Sequence, residues 1–132
     1  MTKTKAKTRP ANSDLFARIV ASDSQEDVLK EYRFHSTRLW RFDYAIPQLK
    51  IAIEIDGGVW IQGRHNSPKG YIADLEKFNE AAALGWVVLK FTPQQQYTRQ
   101  AFDVISRAVN YAKHLQQPGL GRHTVLKAAR IQ

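Results

Sequence analysis

The chain has no cysteine, so neither a disulfide framework nor a thiolate metal site is open to it. No apolar run approaches the length of a membrane span, and the basic start MTKTKAKTRP lacks the apolar segment of a secretory signal. No internal repeat is visible, and 132 residues leave too little material for a second core. One intracellular, cytoplasmic domain without a membrane partner is expected. Acidic residues are also scarce: 12 Asp and Glu stand against 20 Lys and Arg, a net charge of +8 and a pI near 9.9. Such a balance suits a partner rich in phosphates.

The basic residues concentrate at the ends. Lys3, Lys5, Lys7 and Arg9 lie in one cluster, and Arg122, His123, Lys127 and Arg130 in the other. Tails of this kind grip phosphate backbones through counterion release, which makes all of these residues except His123 candidate nucleic-acid contacts. Residues 1–12 carry no apolar period and read as a flexible basic arm, residues 13–115 as the folded domain, and residues 116–132 as a basic tail.

Within the domain, SDLFARIVAS reads as a short helix capped by Ser13. The apolar period then changes to two. Tyr32 and Phe34 alternate with Glu31, Arg33 and His35; Trp40, Phe42 and Tyr44 alternate with Arg41 and Asp43; Leu49, Ile51, Ile53 and Ile55 alternate with Lys50, Ala52, Glu54 and Asp56. Three strands in an antiparallel meander are expected. NSPKG reads as a loop, YIADLEKFNEAAALG as a helix ended by Gly85, WVVLKF as a strand and YTRQAFDVISRAVNYAKHL as an amphipathic helix. The order α, β, β, β, α, β, α predicts an α/β fold with one mixed sheet flanked by helices.

Glu54 and Asp56 sit two positions apart on an otherwise apolar strand, and alternation turns both away from the isoleucine face. Asp43 is expected opposite Trp40, Phe42 and Tyr44, so its carboxylate can join them. A three-residue STR hairpin loop pairs Phe34 with Trp40, Tyr32 with Phe42 and Glu31 with Asp43, whereas a two-residue loop would mix aromatic and polar faces. The first register is the expected one. Carboxylates crowded on a half-buried sheet repel one another unless a cation neutralises them, and all-oxygen ligands favour a hard ion such as Mg²⁺ or Mn²⁺. By spacing alone, ordinary surface acids on a solvent-facing strand are the alternative. Arg64, His65 and Lys69 add cations just after the strand, and the next helix offers Asp74, Lys77 and Asn79. Lys77 lies on the edge of a helix stripe formed by Tyr71, Leu75, Phe78 and Ala82, from which its stem can lean over the sheet.

EYRFHSTRLWRFDYAIPQLKIAIEIDGGVW, GRH and GYIADLEKFNEAAALGWVVLKFT, together about residues 31–92, resemble the PD-(D/E)XK nuclease superfamily. The closer likeness is to phage and bacterial endonuclease-like domains related to the very-short-patch repair endonuclease. The resemblance implies a restriction-endonuclease-like α-β-β-β-α-β core with Asp43 and Glu54 as metal-binding acids, to which the strand pattern adds Asp56 and Glu31 as candidate ligands. It places Asp56 where the superfamily carries a lysine, so Lys77 on the following helix, or His65, is expected to supply that charge. The family's usual accessory acid lies on the first helix, where only Asp14 is available. The function implied is a Mg²⁺-dependent endodeoxyribonuclease of phage or prophage origin, acting on double-stranded or branched DNA in repair, recombination or processing, in the host cytoplasm if phage-encoded. A homodimer is compatible with this reading, as is RNA as substrate. The alternative is a DNA-binding module on a nuclease scaffold that has lost its catalytic power.

Overall fold

The computed structural model describes residues 14–57 and 68–118. The expected basic arm, Arg64, His65 and the C-terminal cluster from Arg122 to Arg130 lie outside the described residues. The fold is α/β, with one four-stranded mixed sheet and three helices. Helix α1 (Leu15–Ser24) leads into β1 (Leu29–Arg33), β2 (Arg41–Ile46) and β3 (Ile51–Ile55). Helix α2 (Pro68–Ala83) crosses to β4 (Val87–Phe91), and α3 (Arg99–Leu115) follows. The sheet order is β1-β2-β3-β4; the first three strands pair antiparallel and β4 joins β3 in parallel. Among the described residues, no helix is long and apolar enough to cross a membrane.

Local chemistry sets the boundaries. The α1 cap is Asp14 rather than Ser13: its Oδ1 accepts from the Ala17 N–H at 2.9 Å, satisfying one of the free donors of the first turn. Pro68 opens α2 at a position where its missing N–H is no loss, so Pro68, Lys69 and Gly70 are helical rather than loop. Gly85, at φ 87°, sits two residues past the helix end in the left-handed region that a glycine enters freely. Pro47–Leu49 form a single 3-10 turn, so the predicted strand from Leu49 to Asp56 narrows to Ile51–Ile55, with Leu49 still buried. Trp40 likewise precedes β2, Phe34 follows β1, and the hairpin loop is longer than STR.

Two apolar clusters sandwich the sheet. On one face, Tyr44, Ile46, Ile51 and Ile53 pack against Phe16, Ala17 and Val20 of α1 and Ile105 and Val109 of α3. On the other, Phe42, Ala45 and Ala52 pack with Trp86 and with Ala81 of α2. The small side chains of Ala45 and Ala52 leave room for the indole, which meets Phe42 at 5.1 Å and Tyr32 at 5.7 Å between ring centroids.

The hairpin register is the predicted one, with Tyr32 opposite Phe42 and Arg33 opposite Arg41, and Glu31 falls across from Asp43 in the same frame. The faces are not as predicted. Phe42 lies on the α2 side and Tyr44 on the α1/α3 side, although they are two residues apart. In β1, Lys30 reaches Asp14 of the α1 cap while Tyr32 packs on the α2 side. Glu31 has φ 51°, a left-handed conformation costly for a residue with a Cβ, and there β1 swaps faces. The expected single aromatic face is therefore divided at the Glu31/Asp43 pair.

Candidate active site

Pairing of β2 with β3 runs from Ile46 opposite Ile51 to Tyr44 opposite Ile53 and then stops. At the next position the Asp43 side chain replaces the ladder: its Oδ2 accepts from the Ile55 N–H at 2.8 Å. The carboxylate thus sits in a fork where the strands part, fixed by a backbone donor. Glu54 lies beside it on β3, turned away from Ile53 and Ile55 as alternation predicts. Lys77 Nζ of α2 stands 2.6 Å from Glu54 Oε1.

Both partners of that ion pair are withdrawn from water, with 12% of the Glu54 side chain and 16% of the Lys77 side chain exposed. Burial is the main force on Glu54. It pushes the carboxyl up to about 7, Asp43 adds to the rise, and Lys77 opposes it. The lysine ammonium also stands 5.6 Å from the centroid of the Phe42 ring and 5.2 Å from that of Phe78, close enough for cation–π attraction.

Other predicted residues fall elsewhere. Asp56 lies past the end of β3, where its backbone N–H donates to Phe91 O at 2.7 Å and its carboxylate has no described partner. Glu31 is exposed at the face swap. Among the described residues, no three Asp, Glu or His side chains gather as metal ligands, so neither acid joins Asp43 and Glu54 in such a group. Asp14 is committed as well. Its Oδ2 accepts from Tyr44 OH at 2.9 Å and pairs with Lys30 Nζ at 2.8 Å. Burial alone would raise the Asp14 carboxyl, but the Lys30, Ala17 and Tyr44 donors outweigh it and hold the group below the usual carboxylate range. Tyr44 is pushed up by burial and by the same carboxylate.

Lys69, Asp74 and Asn79 are exposed on α2, and so are Tyr71 at 62% and Leu75 at 45%. The predicted packing stripe is therefore wrong at Tyr71 and Leu75 and again at Ala82, which is exposed where its neighbour Ala81 is buried. The helix meets the sheet through Lys77, Phe78 and Ala81.

Sequence reasoning missed Lys90. It is the cross-strand neighbour of Glu54 in the parallel β3–β4 ladder, and its Nζ lies 3.4 Å from the Phe78 ring centroid. The Lys77 ammonium approaches the same ring, so two cations flank it. Alternation within WVVLKF carries the signal, once β4 is aligned with β3. Between the β1–β2 hairpin and α2 opens a cleft of about 560 Å³ lined by His35, Arg38, Trp40, Glu76 and Glu80, where Arg38 stacks 4.0 Å from the Trp40 ring centroid. No family model, no curated protein and no solved structure matches the chain.

Proposed function

We propose that the chain is a metal-dependent endonuclease hydrolysing phosphodiester bonds of DNA on a restriction-endonuclease-like core. The contact that carries this reading is Lys77 with Glu54 at 2.6 Å, beside Asp43 in the strand fork. An acid of the second strand, an acid of the third and a lysine of the following helix meet at one point. This supports Lys77 as the stand-in for the lysine that the superfamily resemblance leaves missing at Asp56.

The donors fit a hard divalent ion. Mg²⁺ is commonly held by one or two carboxylates, with substrate and water completing its shell, and Asp43 and Glu54 would hold it here. When bound, it would polarise the phosphate and lower the pKa of the attacking water. The chain supplies the rest. The Ile55 N–H fixes Asp43, so no reorganisation is needed when substrate arrives. Lys77 donates to the phosphate oxygens as charge builds on them. The water oxygen bonds to phosphorus as its proton passes to solvent, the ester P–O bond breaks, and the departing alkoxide takes up a proton from solvent.

The decisive experiment incubates the protein with supercoiled, linear, mismatched, single-stranded and four-way-junction DNA in Mg²⁺ or Mn²⁺, with and without EDTA. Cleavage is expected with either ion and not with EDTA. It should disappear in Asp43→Asn, which keeps an acceptor for the Ile55 N–H while removing the charge. Absence of cleavage on every substrate overturns the reading. One observation favours the alternative of a binding module without catalysis: Lys77 already neutralises Glu54 with no ion involved. DNA binding that survives EDTA, with no cleavage under any condition, would decide for that alternative.

A further inference from the structure

Strand β4 is an edge of the sheet, and on it Lys90 stands in register with Glu54 of β3. Adjacent strands lie about 4.7–4.9 Å apart, so an acid and a lysine side by side on one face are within easy reach of each other. Here they do not pair. Glu54 takes its cation from Lys77 of α2, at 2.6 Å, and the Lys90 ammonium sits 3.4 Å from the centroid of the Phe78 ring on the same helix. Lys90 is exposed and makes no hydrogen bond or ion pair with a described residue.

The two lysines therefore differ in what they can offer an incoming ligand. Lys77 is largely withdrawn from water, and Glu54 offsets its charge. Lys90 keeps its full charge, because an aromatic ring attracts an ammonium through its quadrupole without neutralising it. The ring also restrains a long stem in advance, so less rotamer freedom is lost on binding. Of the three ammonium donors, those not turned to the ring remain for an acceptor. Protection of the sheet edge is the ordinary reason for a lysine on β4, and it requires only an ammonium in solvent. It does not explain why this one lies over the ring that Lys77 also approaches, at 5.2 Å, beside the acid that Lys77 holds. A phosphodiester entering the fork meets two carboxylates that repel it, and Lys90 is the neighbouring cation whose charge no described acid offsets.

We propose that Lys90 is a substrate-binding residue, gripping a non-bridging oxygen of the DNA phosphodiester presented to Asp43 and Glu54 and leaving Lys77 for the charge that builds during hydrolysis. The proposal rests on the endonuclease reading for its ligand, and its test does not depend on hydrolysis. Binding of a 20-base-pair duplex is followed by fluorescence anisotropy in EDTA from 50 to 300 mM salt. Wild type is compared with Lys90→Gln, with Lys90→Arg, which retains the charge, and with Arg107→Gln. The last removes an equal charge from an exposed position on α3, across the sheet. Lys90→Gln is expected to bind at least about fivefold more weakly at 150 mM salt, as for the loss of one charge-assisted hydrogen bond. Its slope of log affinity against log salt should be shallower by about 0.9, the share of one phosphate contact. Lys90→Arg should restore affinity, and Arg107→Gln should change it less than about twofold, since distant exposed charges are screened. Asp43→Asn removes an acid facing the bound phosphate and should tighten binding in EDTA. That gain should be larger with Lys90 present than in Lys90→Gln, because groups acting on one ligand do not add.

Unchanged affinity or slope in Lys90→Gln, an equal loss in Arg107→Gln, or no duplex binding by wild type overturn the proposal. Equal gains from Asp43→Asn in both backgrounds would place the Lys90 phosphate away from the fork and overturn it as well. Thermal unfolding in the same buffer separates binding from folding. A lower midpoint for Lys90→Gln with wild-type affinity and slope would show that the lysine only packs on Phe78. A protein that shows the Lys90 effect in EDTA but never cleaves in Mg²⁺ loses the hydrolytic reading and keeps Lys90 as a DNA contact.

Discussion

The two faces of the sheet are made by the same strands and do different work. Strand β3 presents Ile51, Ile53 and Ile55 to α1 and α3, and Ala52 and Glu54 to the side of α2. The α1/α3 side is a continuous apolar layer whose acid, Asp14, sits at the rim with three donors satisfied or paired. The α2 side is thinner, two alanines under an indole, and it ends in an ion pair withdrawn from water. Period-two geometry lets one strand secure the core with its odd residues and hold charge with an even one. Apolar packing and buried charge are thereby separable by substitution.

The largest effect should come from the apolar side. Phe16 is fully buried and meets Tyr44, Tyr97 and Phe102 at ring centroid distances of 5.0, 5.8 and 5.7 Å, so Phe16→Ala is expected to destabilise by about 3–5 kcal/mol in denaturant unfolding. A loss below about 1 kcal/mol would mean that this face is not the main store of stability. On the other face, Lys77→Ala should slow DNA cleavage at least about a hundredfold while leaving DNA affinity nearly intact, as expected for losing one oxyanion-stabilising donor. A variant that cleaves normally but unfolds early would reverse the assignment of the two faces.

A smaller effect sharpens the contrast through pH. Burial raises Glu54 from 4.5 to about 7, so the folded state favours its neutral form; the associated stability is present below pH 4.5 and is lost as pH rises through about 7. The thermal midpoint of wild type should accordingly fall more between pH 5 and pH 8 than that of Glu54→Gln. Parallel curves would show that Glu54 is not the titrating group. At pH 8 the wild-type midpoint should rise on adding Mn²⁺ by mass action, and Asp43→Asn should lose that rise. The smallest change is expected from Asp14→Ala, about 0.5–2 kcal/mol for a lost helix cap, with cleavage unaltered. A collapse of activity there would return Asp14 to the site.

The hairpin register was legible because only one alignment matches Tyr32 with Phe42 without placing aromatics against charged residues. Glu54 and Lys77 were legible because alternation on a strand and reach from a helix edge are local properties. The division of the aromatic face was not. It depends on Glu31 entering the left-handed region, and period-two reasoning assumes an unbroken pleat. Tyr71 and Leu75 misled for a different reason: a helical stripe shows which residues share a side, not how far along the helix the sheet extends. The distinction between Asp14 as cap and Asp14 as ligand likewise turns on Tyr44 and Lys30, both distant in sequence.

The parallel pairing of β3 with β4 makes the order of folding part of the site's design. A meander of β1, β2 and β3 closes through local hairpins, but β4 meets β3 only after the chain has travelled through α2. Such a non-local closure forms slowly because loop entropy must be overcome before its contacts form. Lys77 rides on that crossover. Asp43 and Glu54 are therefore expected to come together first as an uncompensated pair of acids, and the lysine to arrive with the last strand, so a chain caught before closure would carry the fork without its cation.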